Sequence, residues 1–144
     1  MNQEKLQLQP LEQVIVSLTD ALAVIADTDW FEQQRPQVQN TLMAGVIQNF
    51  EFVYEISTKM IRRQLEAEAL SPEEVDRSGF RDILRTAAEK GLIDDVEAWF
   101  RYRLMRNITS HTYNQEKAQQ VYEGTLVFIE DARALLKQLE GRNA

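Results

Sequence analysis

Residues 37–70 read QVQNTLMAGVIQNFEFVYEISTKMIRRQLEAEAL. Met43, Val46, Ile47, Phe50, Val53, Tyr54, Met60 and Ile61 recur in steps of mostly three and four residues, the spacing of one face of an α-helix. The pattern crosses one glycine, Gly45, and has few other breaks. It predicts one long helix, the axis against which the remaining elements must pack.

Working outward toward the N-terminus, Pro36 disfavours helix at Arg35 and sets a boundary there. The connection DTDWFEQQRP at 27–36 precedes it, with Trp30 and Phe31 expected to pack over the bundle like a lid. Before that, Leu11, Val14, Leu18, Ala21, Leu22 and Ile25 give an amphipathic first helix. Toward the C-terminus, SPEEV at 71–75 reads as a helix start, with Ser71 as N-cap, Pro72 in the first turn and Glu74 completing a capping box. A short helix over about 80–90 ends at Lys90-Gly91, where glycine suits a left-handed position. Asp94, with Glu97 three residues on, opens the helix that carries WFRYRLMRN. Asn114 caps the last helix, in which Ala118, Val121, Tyr122, Thr125, Phe128, Ile129, Ala132, Leu136 and Leu139 form one stripe. No strand-like alternation, internal repeat or low-complexity segment interrupts this. The expected fold is all-α, an up-and-down four-helix bundle with an additional short helix, forming one domain over residues 1–144.

Composition narrows the function. The chain has 144 residues, 44% hydrophobic and 27% charged, as a globular domain does. No apolar run approaches the ~18 residues of a membrane span, and the N-terminus lacks a signal-like apolar region, so a cytoplasmic location and no membrane partner are expected. Cysteine is absent and histidine occurs once, which removes thiolate chemistry and nearly excludes a histidine-rich metal site within one chain. A net charge of −7 disfavours broad nucleic-acid binding, so an anionic ligand must be met locally. RYRLMR at 101–106 and the group Lys59, Arg62 and Arg63 supply local positive charge.

The single histidine lies in RNITSHTY, residues 106–113. At ~100° per residue, the face carrying Val96, Trp99 and Phe100 continues as Arg103, Arg106, Asn107 and Ser110. An inward line that turns from apolar to polar needs partners, because half-buried guanidinium and amide groups are costly unsatisfied. Carboxylates of a neighbouring helix, a second subunit or a ligand would each serve. His111 lies about 140° from Arg106 on an uninterrupted helix, so the two converge only if the helix ends between them or two copies meet. Two readings stand at this point. One is a histidine that interacts with the helix C-terminal dipole. The other is an imidazole for proton transfer beside an arginine for developing phosphorane charge, which suits cleavage of RNA by its own 2′-hydroxyl. Glu51 and Glu55, one turn apart, are expected to be solvated or paired with Lys59.

RNITSHTY resembles the R-x4-H-x-Y signature of the HEPN family, in its nucleotidyltransferase substrate-binding subgroup. FEFVYEISTK at 50–59 and DILRTAAEKGLIDDVEAW at 82–99 resemble further segments of that subgroup, in the same order. Thr58 stands where the family usually has Trp, and Thr86 where it has Glu. The resemblance implies a homodimer of helical bundles with both Arg–His motifs lining one cleft. It also implies a cognate minimal nucleotidyltransferase as partner, in a two-component toxin–antitoxin module. Arg106 and His111 would be the catalytic pair of a metal-independent endoribonuclease that needs no cofactor. Asn107, Arg103 and Ser110 would contact RNA or a nucleotide in the cleft. Tyr113 would accept AMP from the partner and so silence the toxin. The alternative implied is a non-catalytic subunit that binds substrate or nucleotide for the nucleotidyltransferase.

Overall fold

A computed structural model describes residues 5–144 and is all-α. Four longer helices make the body: α1 (Gln9–Ala26), α3 (Pro36–Glu68), α6 (Val96–Ile108) and α7 (Gln115–Arg142). Three short helices fill the connections: α2 (Thr28–Glu32), α4 (Pro72–Arg77) and α5 (Phe80–Glu89). A single 3₁₀ turn, Thr109–His111, joins α6 to α7.

The helical reading of residues 37–70 holds, and α3 runs 33 residues from Pro36 to Glu68, roughly 50 Å. It packs on α1, α4, α5, α6 and α7, so every other large element rests on it. Its buried face carries Val46, Ile47, Phe50, Val53, Tyr54, Met60 and Ile61, while Leu70 lies beyond its end and is fully exposed. Phe50 meets Phe128 of α7 edge-on at 4.9 Å, and Phe128 in turn meets Tyr102 at 4.9 Å and Trp99 at 5.9 Å. Each such pair adds about 0.5–1.5 kcal/mol to the burial of its area. This aromatic cluster joins α3, α6 and α7 at the centre of the core.

Several local signals resolve differently from the sequence expectations. Ser71 occupies the N-cap of α4 with extended backbone, yet its side chain makes no cap bond. The Glu74 amide instead bonds the Ser71 carbonyl, so the capping box does not form. SPEEV opens a helix of its own, separate from the one over 80–89. The cap of α6 is Asp95, one residue later than expected, its carboxylate accepting from the Glu97 and Ala98 amides. The 27–36 connection is partly helical, because Asp27 caps α2 through the Trp30 amide. Phe31 packs against the core, whereas Trp30 is 41% exposed and does not close over the bundle. Gly91 takes φ +76°, as its place after α5 requires.

One end of the bundle is tied by a polar network. Arg142 donates to both Glu68 oxygens at 2.9 and 3.1 Å and to the Lys90 carbonyl. Asn143 donates to Gln64 at 2.8 Å and accepts from the Leu6 amide at 3.0 Å. The ends of α3, α5 and α7 and the segment before α1 are thereby held together.

Candidate functional site

The phase of α6 decides where its polar side chains go. Its buried line is Ala98, Trp99, Tyr102 and Met105, continued by Thr109 in the 3₁₀ turn. Val96 and Phe100 are half-buried at its edge, and Arg103, Asn107 and Ser110 are exposed. The expected inward polar stripe is therefore rotated: of its four members only Arg106 is half-buried. The reason is that Tyr102, rather than Arg103, follows Trp99 toward the core, its ring edge-on to Trp99 at 5.4 Å. The Tyr102 hydroxyl donates to Asp131 of α7. Burial first, and this bond second, push its ionisation well above the ordinary phenol range.

Arg106 finds its partners on α3. Its Nε and Nη2 donate to one Glu55 oxygen at 3.1 and 2.7 Å, and Nη2 lies 3.6 Å from Glu51. Nη1 donates to the Thr109 hydroxyl at 3.0 Å, and that hydroxyl donates back to the Arg106 carbonyl at 2.7 Å. The guanidinium is fixed from both sides, and the Glu55 bond raises its already high pKa further. Glu51 and Glu55 thus pair with Arg106 rather than with Lys59, while Glu55 keeps about half of its side chain in solvent. The signal for them was their one-turn spacing on α3; only the crossing of α3 and α6 supplies the cation. Tyr54, buried beneath them, has its hydroxyl pKa raised by desolvation, an effect opposed by nearby Arg103 and Arg106.

The α-helix ends at Ile108, so Arg106 and His111 do not share an uninterrupted helix. Thr109–His111 tighten into the 3₁₀ turn, and the Thr112 hydroxyl donates to the Thr109 carbonyl at 2.9 Å. The Asn114 amide bonds the His111 carbonyl at 3.1 Å, and its side chain caps α7 through the Glu116 and Lys117 amides. His111 is exposed on this turn. Its ring meets that of Tyr113 edge-on at 6.2 Å, and Tyr113 is 86% exposed. Beside Tyr113 lies a cavity of about 280 Å³ lined by Asn40, Met43, Ile47, Gln115 and Ala118. The folded chain thus groups Arg106 with Glu51, Glu55 and Thr109, and separately His111 with Tyr113. Arg103 lies one turn before Arg106 with its guanidinium 4.4 Å above the Phe80 ring.

Residues 6–141 match the family described as nucleotidyltransferase substrate binding protein like. The chain belongs to this family. A relative from Haemophilus influenzae, named probable ribonuclease HepT, is 48% identical over 143 residues. That alignment covers 99% of this chain and 98% of the relative. A solved structure from Haemophilus influenzae, described as the fold of a substrate binding domain of a nucleotidyltransferase, superposes with a TM-score of 0.91 at 48% identity. It spans 93% of this chain and 99% of that one. A protein of Thermus thermophilus shares the fold at a TM-score of 0.55 and 24% identity, over 87% of this chain and 97% of its own. The family's helical architecture is therefore that of this chain. Among the described residues, no helix is long and apolar enough to cross a membrane.

Proposed function

We propose that this chain is a metal-independent endoribonuclease in which Arg106 and His111 act on RNA and Tyr113 is the point of control. The observation that carries the reading is an arginine in the last turn of α6, oriented by Glu55 and Thr109, just before the turn that exposes the only histidine. The relative's name, probable ribonuclease, points to the same class of chemistry.

In this reading a ribose 2′-oxygen attacks the adjacent phosphorus and its proton passes to the His111 imidazole. The new bond is P–O2′ and the breaking bond is P–O5′. The 5′-oxygen leaves and takes a proton from solvent, His111 later returns its proton to solvent, and the products are a 2′,3′-cyclic phosphate and a 5′-hydroxyl end. Arg106 stabilises the charge that gathers on the phosphorane oxygens. Asn107, Arg103 and Ser110, all exposed near it, bind the strand. Two copies of the chain form a homodimer whose paired motifs line one cleft.

A minimal nucleotidyltransferase is the partner, as the family description suggests. The Tyr113 oxygen attacks the α-phosphorus of ATP, the Pα–O–Pβ bond breaks, and pyrophosphate leaves while the phenol proton goes to solvent. The exposure of Tyr113 suits an acceptor for another enzyme. The added phosphate and base beside the cleft repel and block RNA, which makes the pair a toxin and its antitoxin.

The non-catalytic reading, a subunit that presents substrate to the nucleotidyltransferase, is favoured by one observation: Glu51 and Glu55 already neutralise Arg106. One experiment separates the two. Purified chain is incubated with RNA in the presence of EDTA, and the ends of the fragments are identified. Cleavage to cyclic-phosphate ends, lost about 100-fold or more in Arg106→Ala and His111→Ala, supports the enzyme. RNA left equally intact by wild type and His111→Ala gives the binding reading. Co-expression with the partner adds adenylyl mass to the Tyr113 peptide; the same modification in Tyr113→Phe removes that tyrosine from the role.

A further inference from the structure

The helices α3 and α5 enclose a cavity of about 270 Å³ that the chemistry above does not use. Its floor is apolar, made by Ile61, Ile83 and Leu84, and the Phe80 ring forms one wall. Its rim is polar and cationic, made by Thr58, Lys59 and Arg62. Such a combination, an apolar floor with a few convergent polar groups, is that of a small-ligand site, and the volume lies near the lower bound of roughly 300 Å³.

The charges on this rim stand out in a chain of net charge −7. Among the described residues Lys59 has no ion-pair partner, and it is exposed. Arg62 donates one N–H to the Val75 carbonyl at 3.3 Å and, among the described residues, has no carboxylate within ion-pair distance. Arg103 has none either; its guanidinium stacks on Phe80, and the residue lies one turn before Arg106 on α6. Beyond it, Arg81 and Arg85 lie 4.6 and 5.8 Å above the Phe100 ring. Arg85 also lies 3.7 Å from Asp82, whereas Arg81, stacked without a carboxylate at ion-pair distance among the described residues, keeps its N–H edges open to phosphate.

We propose that the α3–α5 cavity is a nucleotide subsite: a base rests against Phe80 and the apolar floor, and its phosphate is met by Lys59 and Arg62. Resting on the ribonuclease reading, the site holds a nucleotide of the same RNA strand, and Arg103 leads that strand toward Arg106. Arg81 on α5 extends the path for a further phosphate. An acidic peptide would use the charges but leave the apolar floor and the ring without purpose, so a nucleotide is the better fit.

The test uses the full chain and a fluorescent single-stranded oligoribonucleotide with 2′-O-methyl sugars, which cannot be cleaved. Binding is followed by anisotropy across a salt series. Lys59→Ala is expected to weaken binding several-fold and to reduce the slope of log affinity against log salt by about 0.7, one phosphate contact on a single strand. Phe80→Leu is expected to weaken binding by about 5-fold or more through lost base stacking, with a smaller change in that slope than Lys59→Ala gives, because the ring carries no charge but supports Arg103. Lys137→Ala, on the far part of α7, is the control for net charge. Circular dichroism verifies that each variant keeps its helices.

The outcomes separate the subsite from the reading beneath it. If wild type cleaves RNA but Lys59→Ala and Phe80→Leu bind the probe as wild type does, the subsite is wrong and the ribonuclease reading stands. If wild type cleaves nothing, yet the two variants lose binding in the expected pattern, the subsite stands as a nucleotide site and the ribonuclease reading falls. Absence of any probe binding overturns the subsite. AMP competing with the probe as well as an unlabelled oligonucleotide does assigns the site to a free nucleotide; competition by the oligonucleotide alone assigns it to the strand. Poly-glutamate competing as well as the oligonucleotide would make the surface a general anion contact and overturn the proposal.

Discussion

The two halves of α6 use the same device for opposite ends. In the first half, Trp99 and Tyr102 are 2% exposed, and the Tyr102 hydroxyl is bonded to Asp131 of α7. In the second half, Arg106 reaches Glu55 of α3, but both remain partly open to solvent, at 33% and 54% exposure of the side chain. A carboxylate from a neighbouring helix satisfies each. Buried, the pairing fixes the packing of α6 on α7. Left open, it orients a charged group while keeping that group within reach of a ligand. The difference is one of depth, set by a single helical turn.

Substitutions in the closed half should change stability and those in the open half activity. Trp99→Ala tests the first part most severely, since it removes the largest ring of the aromatic cluster. It should cost about 3–5 kcal/mol in chemical denaturation. A cost under about 1 kcal/mol would mean that α6 is not held by this cluster, and the division of the helix would fail. Tyr102→Phe is milder: it keeps the ring but leaves Asp131 without its donor, at about 1–3 kcal/mol. Its cleavage of RNA, after correction for folded fraction, should equal wild type. A loss of activity in this variant would tie the two halves together.

The smallest effect concerns two carboxylates that meet each other. Burial first, and the neighbouring Asp76 second, raise the Glu66 carboxyl above its ordinary range. A raised folded value means that stability is fully present below the unfolded pKa, near ~4.3, and is lost as pH rises through the folded value. Glu66→Gln should therefore flatten that part of the pH–stability curve and raise stability at pH 7 by less than ~1 kcal/mol. An unchanged curve would show that Glu66 is indifferent to Asp76, and that only carboxylates paired with a donor on another helix matter in this fold.

Much of the fold was legible because its determinants are local. The period of α3, the boundary at Pro36, the glycine at 91 and the Asn114 cap depend on neighbours in sequence. The errors arose where one residue decides between equivalent candidates. Asp94 and Asp95 are chemically alike, and only the turn out of α5 selects the second as cap. Leu135 is buried, although the sequence pattern favoured Leu136 beside it. For the site, the motif at 106–113 stands in the sequence, but the pairing of Glu51 and Glu55 with Arg106 does not. Their role depends on a contact between residues 51 apart, which no periodicity encodes.

The knot of Arg142, Asn143, Gln64 and Glu68 gives α3 the geometry of a lever. Its fulcrum is near residue 66, while Ala44, which borders the cavity by Tyr113, lies about 33 Å away along the axis. A tilt of only ~5° about that fulcrum displaces the far end by ~3 Å, the width of a hydrogen bond. Glu55, nearer the fulcrum, moves by half as much. A ligand seated by Tyr113 that tilted this end against its packing on α1 and α7 would change the spacing between Glu55 and Arg106 by that half.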